Sequence, residues 1–419
     1  MPGEPKTDKA TMAQGGFGTL PTLRNRWWAY FYKRCLVGFP WFWPARPRGV
    51  PVMVAARRLV RRHFGDDHHP VNRALAQILT TIAWPPAVLV ALWQFRQNNA
   101  SAAPIQRVPG ALWAAMRHNI LPAEYFAYGL WRPDRKVAID SYFYGTEAPR
   151  LLKLLNRPLE PNPIDDKLAF YELCKAHALP SPEVLAAFGP TGELLDFDSK
   201  QLPKRDLFIK SRIGSGSEAA ERFRWQGAVF ESNRGCCLKP DDLGGYLATR
   251  ARTENRFLLV QPALSNHPDL RLGGNANLAT ARLVTGLSTD GQVIPIFSFF
   301  IYFVQTDRLA RVALVDVSSG QLMPAAQDTT RLTHQLDIGL DEACILPEWD
   351  TVLRHVKVAH QACSSFAFVG WDVALTEQGP MLLEGNGHWG ASEYQRLRGE
   401  PLGYTKFAEI LAMRLHGFE

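Results

Sequence analysis

Cysteine is scarce and widely spaced in this 419-residue chain, which has six cysteines and no Cys-x-x-Cys pair. No spacing of Cys and His is typical of a zinc site, which argues against a structural zinc module. Cys236 and Cys237 are adjacent, and neighbouring residues rarely satisfy disulfide geometry, so reduced thiols in the cytoplasm are expected. The N-terminus also lacks a short apolar run before a small-residue cleavage site, so no secretory signal peptide is predicted.

Acidic residues are scarce only near the N-terminus. Residues 1–73 contain 13 Lys and Arg against 4 Asp and Glu, a net charge of +9, whereas the remainder contains 34 against 36. The overall charge of +7 therefore reflects one segment and not a chain-wide basic surface. That segment is also rich in tryptophan, so a nucleic-acid partner is not expected. RNA binding is the weakest of the alternatives for it.

Residues 1–73 form the first predicted region, and four of the chain's 12 tryptophans lie between Trp27 and Trp43. Indole rings favour the membrane–water interface, and basic side chains are attracted to anionic headgroups. Arg57, Arg58, Arg61 and Arg62 are spaced to lie on one helix face. One interpretation is peripheral contact with an anionic membrane at the inner face of the cell membrane. The other is an aromatic cap that packs on the rest of the protein beside a solvated basic face.

Residues 74–160 form a second predicted region, which is helical and hydrophobic. The stretch 74–95 approaches the length of a bilayer-spanning helix. However, polar residues and the Pro85–Pro86 pair interrupt it, and such a pair breaks or kinks a helix. A buried helical pair or a shallow re-entrant segment is therefore favoured over a transmembrane helix. Residues 118–131 predict a buried aromatic patch.

Residues 161–419 change to short apolar runs that alternate with amphipathic helices. The patterns predict a helix over 165–177, a helix over about 348–366, and strands at 207–211, 257–262, 279–286, 293–303 and 310–317. A hairpin follows, with strands joined across 376–379. This order predicts an α+β fold with mostly antiparallel strands.

The hairpin carries a set of oxygen ligands. Asp372 lies on its first strand, and Glu384 and Asn386 lie near the end of the second. Because side chains alternate along a strand, Glu384 and Asn386 project from the same face and can lie alongside Asp372. Two carboxylates and an amide oxygen suit Mg²⁺ that bridges nucleotide phosphates. A plain hairpin with charged residues is the alternative.

Lys210 ends a predicted strand and is followed by a loop of glycine and serine. The backbone N–H groups of Ser215, Gly216 and Ser217 can fold over a phosphate chain, while Lys210 neutralises its charge. The loop is not a P-loop, because the Gly-x4-Gly-Lys-Ser/Thr order is absent. Taken alone, a Gly/Ser loop is weak evidence, since most such loops are turns.

In their order along the chain, these parts resemble the ATP-grasp superfamily over roughly residues 160–419. "DDKLAFYELCKAHALPSPEVL", "LFIKSRIGSGSEAA", "FLLVQPAL" and "WDVAL…GPMLLEGN" stand where that superfamily has its Asp-Lys helix, phosphate-binding strand, adenine hinge and metal hairpin. "QPALSNHPDL", "TARLVTG" and "GWDVALTEQGPMLLEGNGHWG" are similar to the sugar-transfer-associated, α-L-glutamate-ligase-related branch. With "WPPAVLVAL" and "LPAEYFAYGLW", the resemblance extends from about residue 75 to the end.

The resemblance implies two α+β lobes that grip ATP, preceded by a helical N-terminal region. The nucleotide-binding lobe would cover about 161–262 and the metal-binding lobe about 276–419. It implies ATP and Mg²⁺ as cofactors. The implied roles are Lys167 and Lys210 on the phosphates, Asp372, Glu384 and Asn386 on the metal, and an adenine site at Val260, Gln261, Ala263 and Leu264. His267 fits a contact to ribose or phosphate, or a structural turn.

One position departs from the related D-alanine–D-alanine ligases. There an Arg lies two residues before the hairpin Asp, whereas this chain has Gly370. Arg282, on a strand leading toward the site, is the first choice for the replacing cation. The usual α/β substrate domain ahead of the ATP-grasp part is also not visible, and a helical region takes its place.

The expected activity is ATP- and Mg²⁺-dependent ligation of a carboxylate to an amine through an acyl phosphate. Lys210 and Arg282 are the expected catalytic residues, and the substrates would be small or glycan-linked. The resemblance places the reaction in envelope polysaccharide or glycoconjugate assembly at the cytoplasmic membrane face. Two alternatives remain, an ATP-grasp phosphotransferase and a non-catalytic ATP-binding scaffold at the membrane.

Overall fold

The computed structural model describes residues 49–63, 70–98, 103–156, 162–195, 202–214, 220–270, 272, 277–303, 311–324, 344–387 and 389–416. Most of the basic, tryptophan-rich segment lies outside these residues. So does the loop of Ser215, Gly216 and Ser217, for which the phosphate-binding prediction stands as a sequence inference.

The helices of the described residues are α1 (Pro51–Arg62), α2 (Pro70–Asn98), α3 (Val108–His118), α4 (Pro122–Ala127), α5 (Pro133–Val137), α6 (Ala148–Leu155), α7 (Lys167–Ala176), α8 (Pro240–Glu254), α9 (Trp349–Ala362), α10 (Ala391–Arg398) and α11 (Lys406–Leu415). Helices α1 to α6 precede every described strand. The N-terminal region is therefore helical, as predicted.

The strands are β1 (Ala186–Phe188), β2 (Leu194–Leu195), β3 (Leu207–Ser211), β4 (Glu221–Trp225), β5 (Phe230–Ser232), β6 (Cys237–Leu238), β7 (Leu258–Pro262), β8 (Thr280–Leu287), β9 (Val293–Tyr302), β10 (Arg311–Val315), β11 (Leu322–Met323), β12 (Phe368–Thr376) and β13 (Gly379–Asn386). They form a seven-stranded sheet, order β2-β1-β7-β3-β4-β5-β6, and a six-stranded sheet, order β11-β10-β9-β8-β12-β13. Every described strand pairing is antiparallel. The prediction of an α+β fold is confirmed.

Helix α2 continues through Pro85 and Pro86, so the prediction of two helices separated at this pair is wrong. Tertiary packing offsets the lost backbone hydrogen bonds. Trp84 and Val88 are fully buried against Ala115 and Leu121. Trp84 Nε1 also donates to the Ala115 carbonyl over 3.1 Å. Among the described residues, no helix combines the length and apolar character required to cross a bilayer.

Arg57 is buried and does not belong to a solvated basic face. Its guanidinium donates to Asp140 Oδ1 and to Glu147 Oε2, each over 2.7 Å, and to the Tyr142 carbonyl. A buried charge requires such partners. Arg58 and Arg62 are exposed on the same helix, so the predicted single basic face is divided between a core ion-pair network and solvent.

The aromatic patch predicted over 118–131 is part of a core. Tyr125, Phe126 and Tyr128 are buried together with Tyr142 and Tyr144. Helix α10 joins this region to the sheets, because Gln395 accepts from the Phe143 N–H and donates to its carbonyl, each over 2.8 Å. The helical region therefore packs beside the hairpin formed by β12 and β13.

Candidate functional site

Strands β8, β12 and β13 bring three of the predicted residues into cross-strand register. Asp372 on β12 pairs with Arg282 on β8 and with Glu384 on β13. Both nitrogens Nε and Nη2 of Arg282 donate to the Asp372 carboxylate, the second over 2.7 Å. Burial lowers the pKa of Arg282, but the adjacent Asp372 carboxylate outweighs it and the pKa is raised. Arg282 therefore stays cationic on the strand beside the β12–β13 hairpin.

A β-bulge sets the geometry of the hairpin. Asp372 pairs with Glu384 and Val373 pairs with Leu382, so Leu383 is an additional residue on β13. The Asn386 amide lies 3.3 Å from Asp372 Oδ2. The two carboxylates and the amide named from the sequence therefore lie together on one part of the sheet.

Lys167 lies at the first position of helix α7, next to this cluster. Its Nζ is 3.1 Å from Glu384 Oε2 and donates to the Gly214 carbonyl over 2.7 Å. Burial raises the pKa of Glu384, but Lys167 and Lys210 outweigh it and hold that pKa below its usual value. Glu384 is therefore an ionised carboxylate at neutral pH.

Asp166 and Arg212 fix the position of Lys167. Asp166 caps helix α7 by accepting from the backbone N–H groups of Leu168 and Ala169. The same carboxylate accepts from Arg212 Nη2 over 2.6 Å, and the Lys167 N–H donates to the Arg212 carbonyl over 3.1 Å. The start of α7 is thereby attached to the residue that follows β3.

Lys210 lies half-buried on β3, one residue before the strand ends. Burial is the main cause that lowers its pKa to about 8; Glu384 and Asp372 oppose this shift, and the nearby Lys167 adds to it. Both lysines are thus within electrostatic range of Glu384. A polyanion entering this site would meet three cationic side chains, Lys167, Lys210 and Arg282.

Gly370 has no room for a side chain. A Cβ atom there would lie 2.3 Å from Trp389 Cβ and 3.4 Å from Arg282 Cδ. Trp389 is itself buried against Phe143 and Phe407. The space that an Arg side chain at this position would need is therefore filled by Trp389 and by the stem of Arg282.

The predicted adenine residues lie on β7 and just beyond it. Val260 pairs with Ile209, and both belong to the core beneath helix α8. The Val260 side chain therefore points away from the face of the sheet that carries Lys210, so it cannot contact a nucleotide on that face. Gln261 Nε2 donates to the Pro182 carbonyl over 3.0 Å, and the Ala263 N–H donates to the Asp206 carbonyl over 2.9 Å. Leu264 is half-buried.

His267 lies in the segment after β7, and its backbone contacts strand β12 of the hairpin. Its N–H donates to the Leu375 carbonyl over 2.8 Å, three residues beyond Asp372 on β12. Its ring is 3.7 Å from the Asp269 carboxylate and accepts from the Asp269 N–H. The described contacts of His267 are those of a turn, and none of them reaches the carboxylate cluster.

The family model of sugar-transfer associated ATP-grasp proteins matches residues 147–404, which is more than half of the chain. The chain belongs to the sugar-transfer associated ATP-grasp family. The predicted resemblance is confirmed for this range. Residues 1–146 lie outside the match, so the resemblance predicted from residue 75 is not part of it. Comparison with curated protein sequences gives no significant match.

Solved structures similar to this ATP-grasp chain are distant in sequence and in TM-score. D-alanyl-alanine synthetase A from Vibrio cholerae is 12% identical, with a TM-score of 0.37 over 66% of this chain and 74% of that one. VanG D-Ala:D-Ser ligase from Enterococcus faecalis is 12% identical, with a TM-score of 0.35 over 59% and 61%. N5-carboxyaminoimidazole synthase from Aspergillus clavatus, solved with ADP and 5-aminoimidazole ribonucleotide, is 12% identical, with a TM-score of 0.28 over 54% and 44%. The chain spans less than two thirds of these last two proteins.

Sequence reasoning missed the residues that support the ATP-grasp site. Asp166 and Arg212 position Lys167, and Trp389 fills the space over Gly370. A weak signal existed for Asp166, because an Asp directly before an apolar helical pattern is typical of an N-cap. No local pattern indicates that Arg212 pairs with it or that Trp389 covers Gly370.

Proposed function

We propose that this ATP-grasp protein is an ATP- and Mg²⁺-dependent ligase that joins a carboxylate to an amine through an acyl phosphate. The observation that carries the proposal is the meeting of Lys167 with Glu384 and of Arg282 with Asp372. It places one cation from helix α7 and one from the six-stranded sheet around a single pair of carboxylates. Such a site suits a substrate whose negative charge is shared between metal and protein during phosphoryl transfer.

The donor set fits Mg²⁺. Among the described residues no group of three or more His, Cys, Asp or Glu side chains forms a metal site. Mg²⁺ takes few protein ligands and keeps several waters, so Asp372, Glu384 and Asn386 suffice to hold it. A carboxylate has about four lone-pair sites, so Asp372 can bind Arg282 at both oxygens and still act as a ligand. When bound, the metal neutralises charge on the phosphates.

In the proposed reaction, one oxygen of the substrate carboxylate attacks the γ-phosphorus of ATP and displaces ADP. An amine then attacks the acyl carbon and displaces inorganic phosphate, and the amine loses a proton as the amide forms. Lys167 and Lys210 hold the phosphates, and Arg282 binds the equatorial oxygens of the transferring group. Catalysis would come mainly from positioning and from fixed positive charge.

The family description supports a role in sugar transfer, and we place the reaction in polysaccharide or glycoconjugate assembly. The substrates would be small or glycan-linked carboxylates and amines. The net charge of +9 on residues 1–73 supports a cytoplasmic protein that contacts the anionic inner face of the cell membrane. Leu264 and the backbone around it remain our proposed adenine contact, together with the Gly/Ser loop over the phosphates.

Titration of Mg·ATP into the purified full chain, followed by calorimetry, tests the site. We expect Mg²⁺-dependent binding in the micromolar range, which Glu384→Gln weakens because the variant removes an ionised ligand. Binding of equal strength in Glu384→Gln would show that the metal is held elsewhere. A folded protein that binds no Mg·ATP would favour the scaffold alternative.

Hydroxylamine trapping tests the reaction. With ATP, Mg²⁺ and a panel of amino acids and uronic acids, an acyl phosphate gives a hydroxamate, and a phosphate ester does not. Hydroxamate that depends on both ATP and one carboxylate would support the ligase. ATP consumption with a hydroxyl acceptor and no hydroxamate would favour the phosphotransferase.

A further inference from the structure

Helix α2 presents a continuous apolar stripe to solvent. Six large apolar side chains on it are each more than half exposed: Leu75, Ile78, Leu79, Ile82, Leu89 and Trp93. At 3.6 residues per turn these positions fall within an arc of about 100°, over a length of about 27 Å. Exposed apolar patches of this extent mark interaction surfaces in soluble proteins.

The orientation of the stripe is fixed by the opposite face of the helix. Trp84 and Val88 point inward and are fully buried, and Leu92 is 6% exposed. The hydrogen bond from Trp84 to the Ala115 carbonyl, 3.1 Å long, holds α2 against α3. Rotating α2 to bury the stripe would expose this core and break that bond, so α2 is held with the apolar stripe outward.

The charged residues of helix α2 are of one sign. The helix contains no Asp or Glu, and Arg96 lies in its last turn beside Trp93. Leu89, Leu92, Trp93, Arg96 and Gln97 line a shallow groove of about 520 Å³ at this end. An apolar surface that ends at tryptophan and arginine is complementary to acyl chains beneath anionic headgroups.

We propose that this stripe on α2 is a docking surface for an anionic lipid bilayer, with the helix lying in the plane of the interface. A bilayer requires only an apolar face flanked by cations and free of acidic groups, which α2 provides. The inference does not rest on the ligase chemistry. The stripe lies later in the sequence than the tryptophan-rich segment near the N-terminus.

Flotation of the full chain with vesicles tests the proposal. The vesicles are phosphatidylcholine alone, or phosphatidylcholine mixed with phosphatidylglycerol, at low and high salt. We expect binding to the mixed vesicles, weakened by salt. Ile82→Glu should reduce the bound fraction about tenfold, because it removes one apolar contact with the acyl region. The control is Ile345→Glu, since Ile345 is 61% exposed and lies outside the stripe, while Ile82 is 67% exposed.

Three outcomes would overturn the proposal. The first is no binding of the wild-type chain to mixed vesicles. The second is equal binding of wild type and the double variant Ile82→Glu/Leu89→Glu, which would place the lipid contact elsewhere, for instance in residues 1–48. The third is a wild-type dimer that Ile82→Glu converts to a monomer, which would make a second copy the occupant. Circular dichroism and thermal unfolding that match those of the wild type show that each variant is folded, so this test does not depend on Mg·ATP binding.

Discussion

Arg282 and Asp372 are direct cross-strand partners that form a two-pronged ion pair in the middle of the six-stranded sheet. Their side chains are 17% and 13% exposed, so neither charge is well solvated. The arginine therefore stabilises the carboxylate, and Trp389 leaves no room for a side chain at position 370. This arrangement supports our proposal that Arg282 supplies the cation that position 370 lacks.

Arg282→Met should lower the free energy of unfolding by about 3 kcal/mol, because it leaves the buried Asp372 carboxylate unpaired. Adding Asp372→Asn should recover part of the loss, since the uncompensated charge is then removed. Denaturant unfolding of the single and double variants measures this coupling. In Arg282→Met, the rate of hydroxamate formation should fall by a larger factor than the affinity for Mg·ATP. Equal losses would indicate that Arg282 serves nucleotide binding alone.

Gly370→Ala should destabilise the protein by about 1–3 kcal/mol, because the added methyl group collides with Trp389 in a packed core. It should also displace the Arg282 stem and so reduce hydroxamate formation. Gly244→Ala is the control, since a Cβ atom at Gly244 on α8 meets nothing within 4 Å. That change should raise stability by up to about 1 kcal/mol, because alanine favours a helix. Chemical denaturation of both variants distinguishes them, and a neutral Gly370→Ala would contradict the packing described here.

Mg·ATP binding should weaken as pH rises above about 8, because Lys210 with its lowered pKa then becomes neutral. Below that pH the lysine is charged, so affinity should be nearly flat. Lys210→Arg should bind with little pH dependence between about pH 7 and pH 9.5, since the guanidinium stays protonated. Calorimetry across this range measures both profiles. A wild-type profile as flat as that of Lys210→Arg would exclude Lys210 from the phosphate site.

Asp166→Ala should destabilise the protein by about 1 kcal/mol or more, because helix α7 loses its N-cap. Asp166→Asn should retain most of that stability, since asparagine caps helices well, but it should weaken the attachment to Arg212. Both variants should displace Lys167 and so reduce the affinity for Mg·ATP about tenfold, which corresponds to about 1.4 kcal/mol. Arg212→Gln keeps the cap intact and tests the ion pair alone. Unchanged affinity in Arg212→Gln would contradict the positioning role.

The parts of the site that lie on one continuous segment were predictable. The β12–β13 hairpin was predictable, because alternation along two strands joined by a short turn decides which side chains share a face. The strand bearing Lys210 and the helix that begins at Lys167 follow the same local rules. The family resemblance then supplied their order and their expected ligands.

Side-chain direction in β7 was not predictable in the same way. Val260 and Gln261 both occupy the expected hinge, but Val260 faces the core with Ile209. A one-residue change of register would exchange the two faces, and that register depends on pairing with β1 and β3, which lie far away in the sequence. The bulge at Leu383 is a similar case, since nothing in its neighbours marks an additional residue.

The sequence by itself therefore determined the fold class, the family and the chemical types gathered at the hairpin, because these follow from local periodicity and from motifs. Only the tertiary structure decided that Arg282 forms an ion pair with Asp372, that Arg212 holds the start of α7, and that α2 stays helical through Pro85 and Pro86. Each of these depends on contacts between distant segments. Packing in a dense interior settles such contacts by shape and by the need to pair buried charge.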